Sequence, residues 1–224
     1  MMKAFTHLRC YLYNAINWNI RLATFLLFNE IKGEKKYGIN TSGLDELKSM
    51  EDDGIDTSNN SIYTPVSYYL LENTFKQIPD KSRKHFIDIG CGYGRAMCVA
   101  AHNGFKKVSG IDFSREFCEV AKKNIAKTKH QIPSLKSNII NNDAFYYDIP
   151  NDADCLFFFN PFNDIIMNGV VNNVLWSLEK KPRDLYIVYV NPIYKELWTE
   201  AGFKEIYHTQ KLKYLEQSIL IYKP

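Results

Sequence analysis

The segment His85-Phe86-Ile87-Asp88-Ile89-Gly90-Cys91-Gly92-Tyr93-Gly94-Arg95 constrains the fold of this chain more than any other. A short apolar run contains an acid near its end, three glycines follow at alternate positions, and a helix-compatible stretch from Ala96 to Asn103 comes next. An apolar run with no solvent face reads as a buried parallel strand, here leading through a tight turn into a helix N-terminus. Glycine adopts positive φ and lets a ligand reach the backbone with no Cβ in the way. The unpaired N–H groups of a helix start favour a carboxylate or another anion. A nucleotide-type site is therefore the first expectation.

The glycine spacing narrows the choice. A dinucleotide fingerprint needs Gly-x-Gly-x-x-Gly or Ala. Counted from Gly90 the third glycine's place holds Arg95, and counted from Gly92 it holds Met97. The phosphate-cradling Gly-x-x-x-x-Gly-Lys-Ser/Thr loop is absent as well. What remains is Asp-x-Gly-x-Gly-x-Gly, formed by Asp88, Gly90, Gly92 and Gly94. In this motif the sequence resembles the class I S-adenosylmethionine-dependent methyltransferases. The resemblance implies a doubly wound, seven-stranded, mostly parallel Rossmann-like sheet with a closing antiparallel hairpin, and S-adenosyl-L-methionine as cofactor.

The pattern of segments agrees with that class. From His85 apolar runs and helical stretches alternate, as in a doubly wound sheet. Strands are expected near 85–89, 107–111, 137–141, 154–159 and 184–190. Helices are expected near 95–103, 114–128, 164–179 and 194–201. Phe203 to Gln210 and Gln217 to Tyr222 read as a final hairpin. Upstream, Val66 to Ile78 reads as a helix and residues 3–32 as an amphipathic helical segment. Residues 33–60 carry four glycines and an acidic cluster, and read as an irregular connection with a short helix near Leu44 to Met50. The expected organisation is a helical extension and lid over 1–60 and a methyltransferase domain over 61–224.

At 224 residues, with 46% hydrophobic and 24% charged residues, the chain has the composition of an ordinary globular protein. Its net charge of +3 is too small to argue for a large nucleic-acid footprint. The basic runs Lys81–Lys84 and Lys180–Arg183 read as solvated strand entrances. Five cysteines without a Cys-x-x-Cys pair fit a reducing, cytoplasmic setting, with neither a zinc site nor a disulfide scaffold. Cys91 reads as packing space between glycines. The apolar run Leu22 to Phe28 is far short of the roughly 20 residues that span a bilayer. It also lacks the order of a signal peptide. A helix that docks on the core or on a partner is the expectation there, with membrane-surface contact as a lesser alternative.

Ligands of such sheets bind beyond the carboxyl ends of the strands. The second apolar run ends at Asp112, and an acid about 20 residues past the glycine loop is placed to accept both ribose hydroxyls. Phe113 is placed to lie against the adenine. Helix capping is the structural alternative for Asp112, although Ser114 serves that role equally well. The resemblance implies that Asp143, with Ala144 beside it, accepts the adenine's exocyclic amine; a water-facing loop carboxylate is the alternative. Asn160-Pro161-Phe162 resembles the (Asp/Asn)-Pro-Pro-(Tyr/Phe) motif of methyltransferases acting on planar amino groups, with one proline where those have two. The resemblance implies that Asn160 and Phe162 border the acceptor, and Tyr63 is a candidate to close the pocket. A strand-ending turn is the alternative for Asn160-Pro161. His85, His102 and His208 read as core or surface residues, and no metal-ligand spacing stands out.

The expected activity is methyl transfer to an acceptor that these residues leave open, with an amine of a protein or small molecule first and an RNA or DNA base also among the candidates. Rival readings are a non-catalytic cofactor-binding module and an aminopropyltransferase. The glycine loop offers no extra acids for the latter.

Overall fold

The computed structural model describes residues 2–42, 65–159 and 162–224. The expected helix near Leu44 to Met50 lies outside the described residues, as do Tyr63, Asn160 and Pro161. The helices are α1 (Met2–Asn17), α2 (Ile20–Tyr37), α3 (Tyr68–Gln77), α4 (Arg95–His102), α5 (Arg115–Gln131), α6 (Asp164–Lys180) and α7 (Lys195–Glu200). The strands are β1 (His85–Ile89), β2 (Lys107–Asp112), β3 (Lys136–Asn141), β4 (Cys155–Phe159), β5 (Leu185–Val190), β6 (Lys204–Lys211) and β7 (Leu215–Tyr222).

The strands form one seven-stranded sheet in the order β3-β2-β1-β4-β5-β7-β6. Pairs from β3 through β5 are parallel, and β7 runs antiparallel to both β5 and β6. Chain order reverses between β1 and β4, so the ligand crevice of such a sheet lies beyond their carboxyl ends.

The central strands β1, β2, β4 and β5 are buried on both faces, their side chains alternating between two helical layers. Phe86 on β1, Val108 on β2, Phe157 on β4 and Val188 on β5 pack with α3, α4 and α5. Ile87, Ile89, Ile111, Leu156 and Phe158 point the other way, onto Met167, Val170 and Val174 of α6 and Trp198 of α7. All five cysteines are free thiols.

The amino-terminal segment differs from a single helix. Asn19 is extended, and its side-chain oxygen accepts the N–H of Leu22 at 2.8 Å, capping a second helix. That helix then continues through Gly33 to Tyr37, where an irregular connection was expected. The reason is tertiary: the Tyr68 ring lies directly against Gly33, where any Cβ would overlap it. The two basic strand entrances are solvated at their lysines, as expected, but not at their arginines. Arg83 donates to the carbonyls of Phe75, Ile78 and Asn103, and Arg183 donates to those of Ala153, Ser177 and Lys181. Each guanidinium thus gathers several carbonyls at helix and strand ends.

Gly110 in the middle of β2 is a second close approach. A Cβ there would overlap the sulfur of Met97 and sit 2.8 Å from Cys91 Sγ and 2.9 Å from Cys91 Cβ. Cys91 is thereby confirmed as packing, pressed against the bare backbone of β2. Gly110→Ala is expected to cost about 1–3 kcal/mol through overpacking. Thermal denaturation should show a midpoint several degrees below wild type, and an unchanged midpoint would mean that this contact is slack.

Candidate active site

The turn after β1 is built from left-handed backbone. Gly90, Gly92 and Gly94 have φ of 77°, 49° and 78°, values at which a side chain would be strained. The N–H groups of Gly90 and Cys91 both donate to the carbonyl of Ile111 at 2.9 Å. The turn is therefore hung on the end of β2. Asp112 completes the attachment: its Oδ2 accepts the N–H of Gly92 at 2.8 Å, and its Oδ1 accepts that of Ser114 at 2.9 Å. Ser114 itself caps α5 by accepting the N–H of Phe117. Both roles weighed for Asp112 thus partly separate, with the helix cap left to Ser114.

The electrostatics of this turn are those of buried carboxylates. Asp112 is 6% exposed and Asp88 3% exposed. Burial pushes the Asp112 carboxyl up to about 6, against the opposing pull of the Ser114 and Gly92 N–H groups. Burial raises Asp88 well above the ordinary range too, and the charge of Asp112 adds to it. Cys91 is likewise raised by burial and by both acids, which leaves its thiol protonated and unsuited to nucleophilic work.

No cation of the turn answers these acids. Arg95, the first residue of α4, turns its guanidinium the other way. It donates to both carboxylate oxygens of Glu30 on α2, to Thr41 Oγ1 at 2.7 Å and to the Val66 carbonyl at 2.8 Å, with the Tyr68 ring 4.2 Å away. A pyrophosphate laid against Asp88 and Asp112 would meet like charge. A ligand bringing hydroxyl donors and a positive centre would find acceptors and compensation.

The remaining expected positions fall around the same strand ends. Phe113 is half-buried and packs against Phe117, as Tyr93 does. Asp143 is exposed; its Oδ1 accepts the N–H of Phe145 at 2.9 Å and caps a short 3-10 turn that begins at Ala144, itself 7% exposed. Phe162 is 8% exposed and belongs to the core cluster on the α6 side, so it stands as a fixed wall with little free ring face. His85 is a core histidine between Asp152 and Ser109, each 2.9 Å away.

Four contributors escaped the sequence reading. Arg95 and Glu30 form the buried pair just described. Asn124 on α5 donates to the carbonyls of Asn40 and Tyr93 and accepts the Asn40 N–H, tying the end of the amino-terminal segment to the glycine turn. Asn141 donates to the carbonyls of Asp112 and Phe113, sewing the ends of β2 and β3 together. One signal was available for Arg95. A cation opposes the helix dipole at a helix N-terminus, so an arginine placed there needs a carboxylate from elsewhere.

The fold and the strand-end acids place the chain among the methyltransferases. It belongs to the methyltransferase-domain family, which matches residues 80–219. No curated protein matches the chain in sequence. Among solved structures, a SAM-dependent methyltransferase from Aquifex aeolicus is similar at 13% identity and a TM-score of 0.51, over 79% of this chain and 98% of the other. Escherichia coli yhhF, a methyltransferase by assignment, is similar at 14% identity and a TM-score of 0.57, over 72% and 89%. StiE O-MT, solved as residues 961–1257, is similar at 17% identity and a TM-score of 0.51 over 63% of this chain, which spans about half (53%) of that solved chain. At these identities the likeness is one of fold.

The raised Asp112 carboxyl predicts a pH signature. Below about pH 4 it is protonated in both folded and unfolded chains. Between there and about pH 6 the folded chain holds a proton that the unfolded chain has lost, so this group's contribution to stability falls as pH rises through that window. Urea unfolding at both ends of the window should show wild type losing ground to Asp112→Asn at the higher pH. A constant difference between the two would mean an ordinary carboxyl.

Proposed function

We propose that this chain is an S-adenosylmethionine-dependent methyltransferase whose cofactor lies across the glycine turn and the carboxylates of Asp88 and Asp112. The single observation that carries the proposal is the buried, acceptor-only Asp112, bound to the Gly92 and Ser114 N–H groups and, among the described residues, to no side-chain cation. Each of its oxygens keeps a further lone pair for a ribose hydroxyl. Gly90, Cys91, Gly92 and Gly94 offer backbone to the amino-acid portion. Phe113 lies along the adenine, and Asp143 with Ala144 meets its amine edge.

When bound, the cofactor supplies a methyl group on a positively charged sulfur. The protein's own task is then alignment of the acceptor, and orientation alone is worth effective molarities of about 10⁵–10⁸ M. In this proposal Asn160 and Phe162 border the acceptor and Tyr63 closes over it. The acceptor is an amine nitrogen of a protein or small molecule. Residues 1–60 form the extension and 61–224 the methyltransferase domain, working in the reducing cytoplasm that five free thiols suit.

The test is calorimetric titration with S-adenosylmethionine and, separately, with NAD, on wild type and Asp112→Ala. Wild type should bind only the former. The variant should lose roughly tenfold or more in affinity, because buried N–H groups and the ribose diol lose their acceptor. NAD binding, or undiminished binding by the variant, would overturn the proposal. A second reading, a non-catalytic cofactor-binding module, is favoured by the exposed apolar face of α1 and α2 described below. Labelled methyl transfer into fractionated extract separates it: binding without transfer supports the module.

A further inference from the structure

The helical hairpin α1–α2 carries a surface that methyl transfer does not use. Leu8, Leu12, Ile16 and Phe5 are 54%, 49%, 80% and 71% exposed, and their spacing puts them on one stripe of α1. Ile20, Phe28 and Ile31 are 67%, 69% and 51% exposed along α2. More than half of the exposed large apolar side chains among the described residues fall within residues 5–31. Exposed apolar stripes gathered on one helical hairpin mark an interaction site.

Charge on the outer surface of the hairpin has one sign. Residues 1–29 contain no Asp or Glu, and they include Lys3, Arg9 and Arg21. The first acids of the chain, Glu30 and Glu34, are both turned inward. Glu30 grips Arg95, and Glu34 is 8% exposed and accepts from Ser42. Arg9, Arg21, Lys32 and Lys35 remain exposed, and the outer surface is cationic. At the hairpin turn, Tyr13 and Trp18 meet edge to face at 5.7 Å and are 43% and 42% exposed. Among the described residues no helix is long and apolar enough to cross a membrane.

We infer that the outer face of α1–α2 docks on an anionic lipid surface, lying in its plane. Apolar stripes enter the acyl boundary, the arginines and lysines meet the headgroups, and Trp18 and Tyr13 sit at headgroup level. A second copy of the chain fits this face less well. A symmetric contact sets each patch against itself, and Arg9 and Arg21 would then face like charge. The inference does not rest on the methyl-transfer proposal.

The test is flotation of the full chain with vesicles of equal parts phosphatidylcholine and phosphatidylglycerol, against vesicles of phosphatidylcholine alone. The chain should float with the anionic vesicles at low salt, float poorly with the neutral ones, and be partly released by high salt. Arg9→Gln and Arg21→Gln should each lower the partition coefficient roughly fivefold. Leu12→Glu combined with Ile16→Glu should abolish flotation while circular dichroism and the thermal midpoint stay as in wild type. Wild type that remains unbound, or a double variant that floats as well as wild type, overturns the inference. If wild type stays unbound and light scattering shows a dimer that the double variant dissociates, the face is a contact between copies. If it stays unbound and monomeric, the face belongs to another protein.

Discussion

The carboxylate of Asp112 holds the ligand-facing end of the sheet together. Three left-handed glycines at alternate positions give the turn after β1 no ladder partner of its own. The Ile111 carbonyl and the Asp112 side chain, both on β2, supply its hydrogen bonds instead. This arrangement costs a buried carboxylate beside a second acid, Asp88, whose own ionisation burial and the Asp112 charge oppose. Two N–H donors offset only part of that cost, as the raised carboxyl records. A site in this condition gains more from a cationic, hydroxyl-bearing ligand than a neutral site would.

Arg95 solves a related problem on the opposite side of the turn. As the first residue of α4 it sits at the positive end of the helix dipole, the unfavourable end for a cation. Its compensation arrives from α2 through Glu30 and from Thr41 and Val66, with Tyr68 beneath it. Tyr68 in turn stacks on Tyr37 at 5.6 Å and fills the space over Gly33. One buried guanidinium therefore ties the amino-terminal hairpin to the helix that opens the site. Removing either member of such a pair strands a charge in the interior, which is far costlier than losing a surface ion pair.

The sheet was legible because apolar runs such as Phe86–Ile89 and Leu185–Val190 have no polar face and are bracketed by turn residues. Their alternation with helices then gave the doubly wound class, and the family resemblance the closing hairpin. What was not legible depends on contacts between distant segments. The break at Asn19 lies between two apolar stretches whose periodicity runs on across it, so only the cap geometry reveals it. Gly33 looks like a helix breaker until the Tyr68 ring is seen to require it. Arg83 and Arg183 look like solvated charges because carbonyls awaiting donors leave no trace in a sequence. Phe162 follows a strand as a substrate-facing aromatic should, yet core packing on the α6 side takes most of its surface.

The two faces of α2 explain why the hairpin can present apolar residues to the outside at all. Helices of this length are marginal alone in water. An apolar stripe exposed on an unanchored hairpin would collapse onto itself or onto the core. Here the inner face is committed: Glu30 to Arg95, Tyr37 to Tyr68, and Asn40, just past the helix end, to Asn124. Phe28 and Ile31 are left pointing outward on a scaffold that cannot fold them in. A surface presented this way pays little ordering entropy when it docks, which is the cost that usually limits helical peptides at interfaces. The buried charge that positions the glycine-turn helix is thus also what keeps the outer stripe rigid and available.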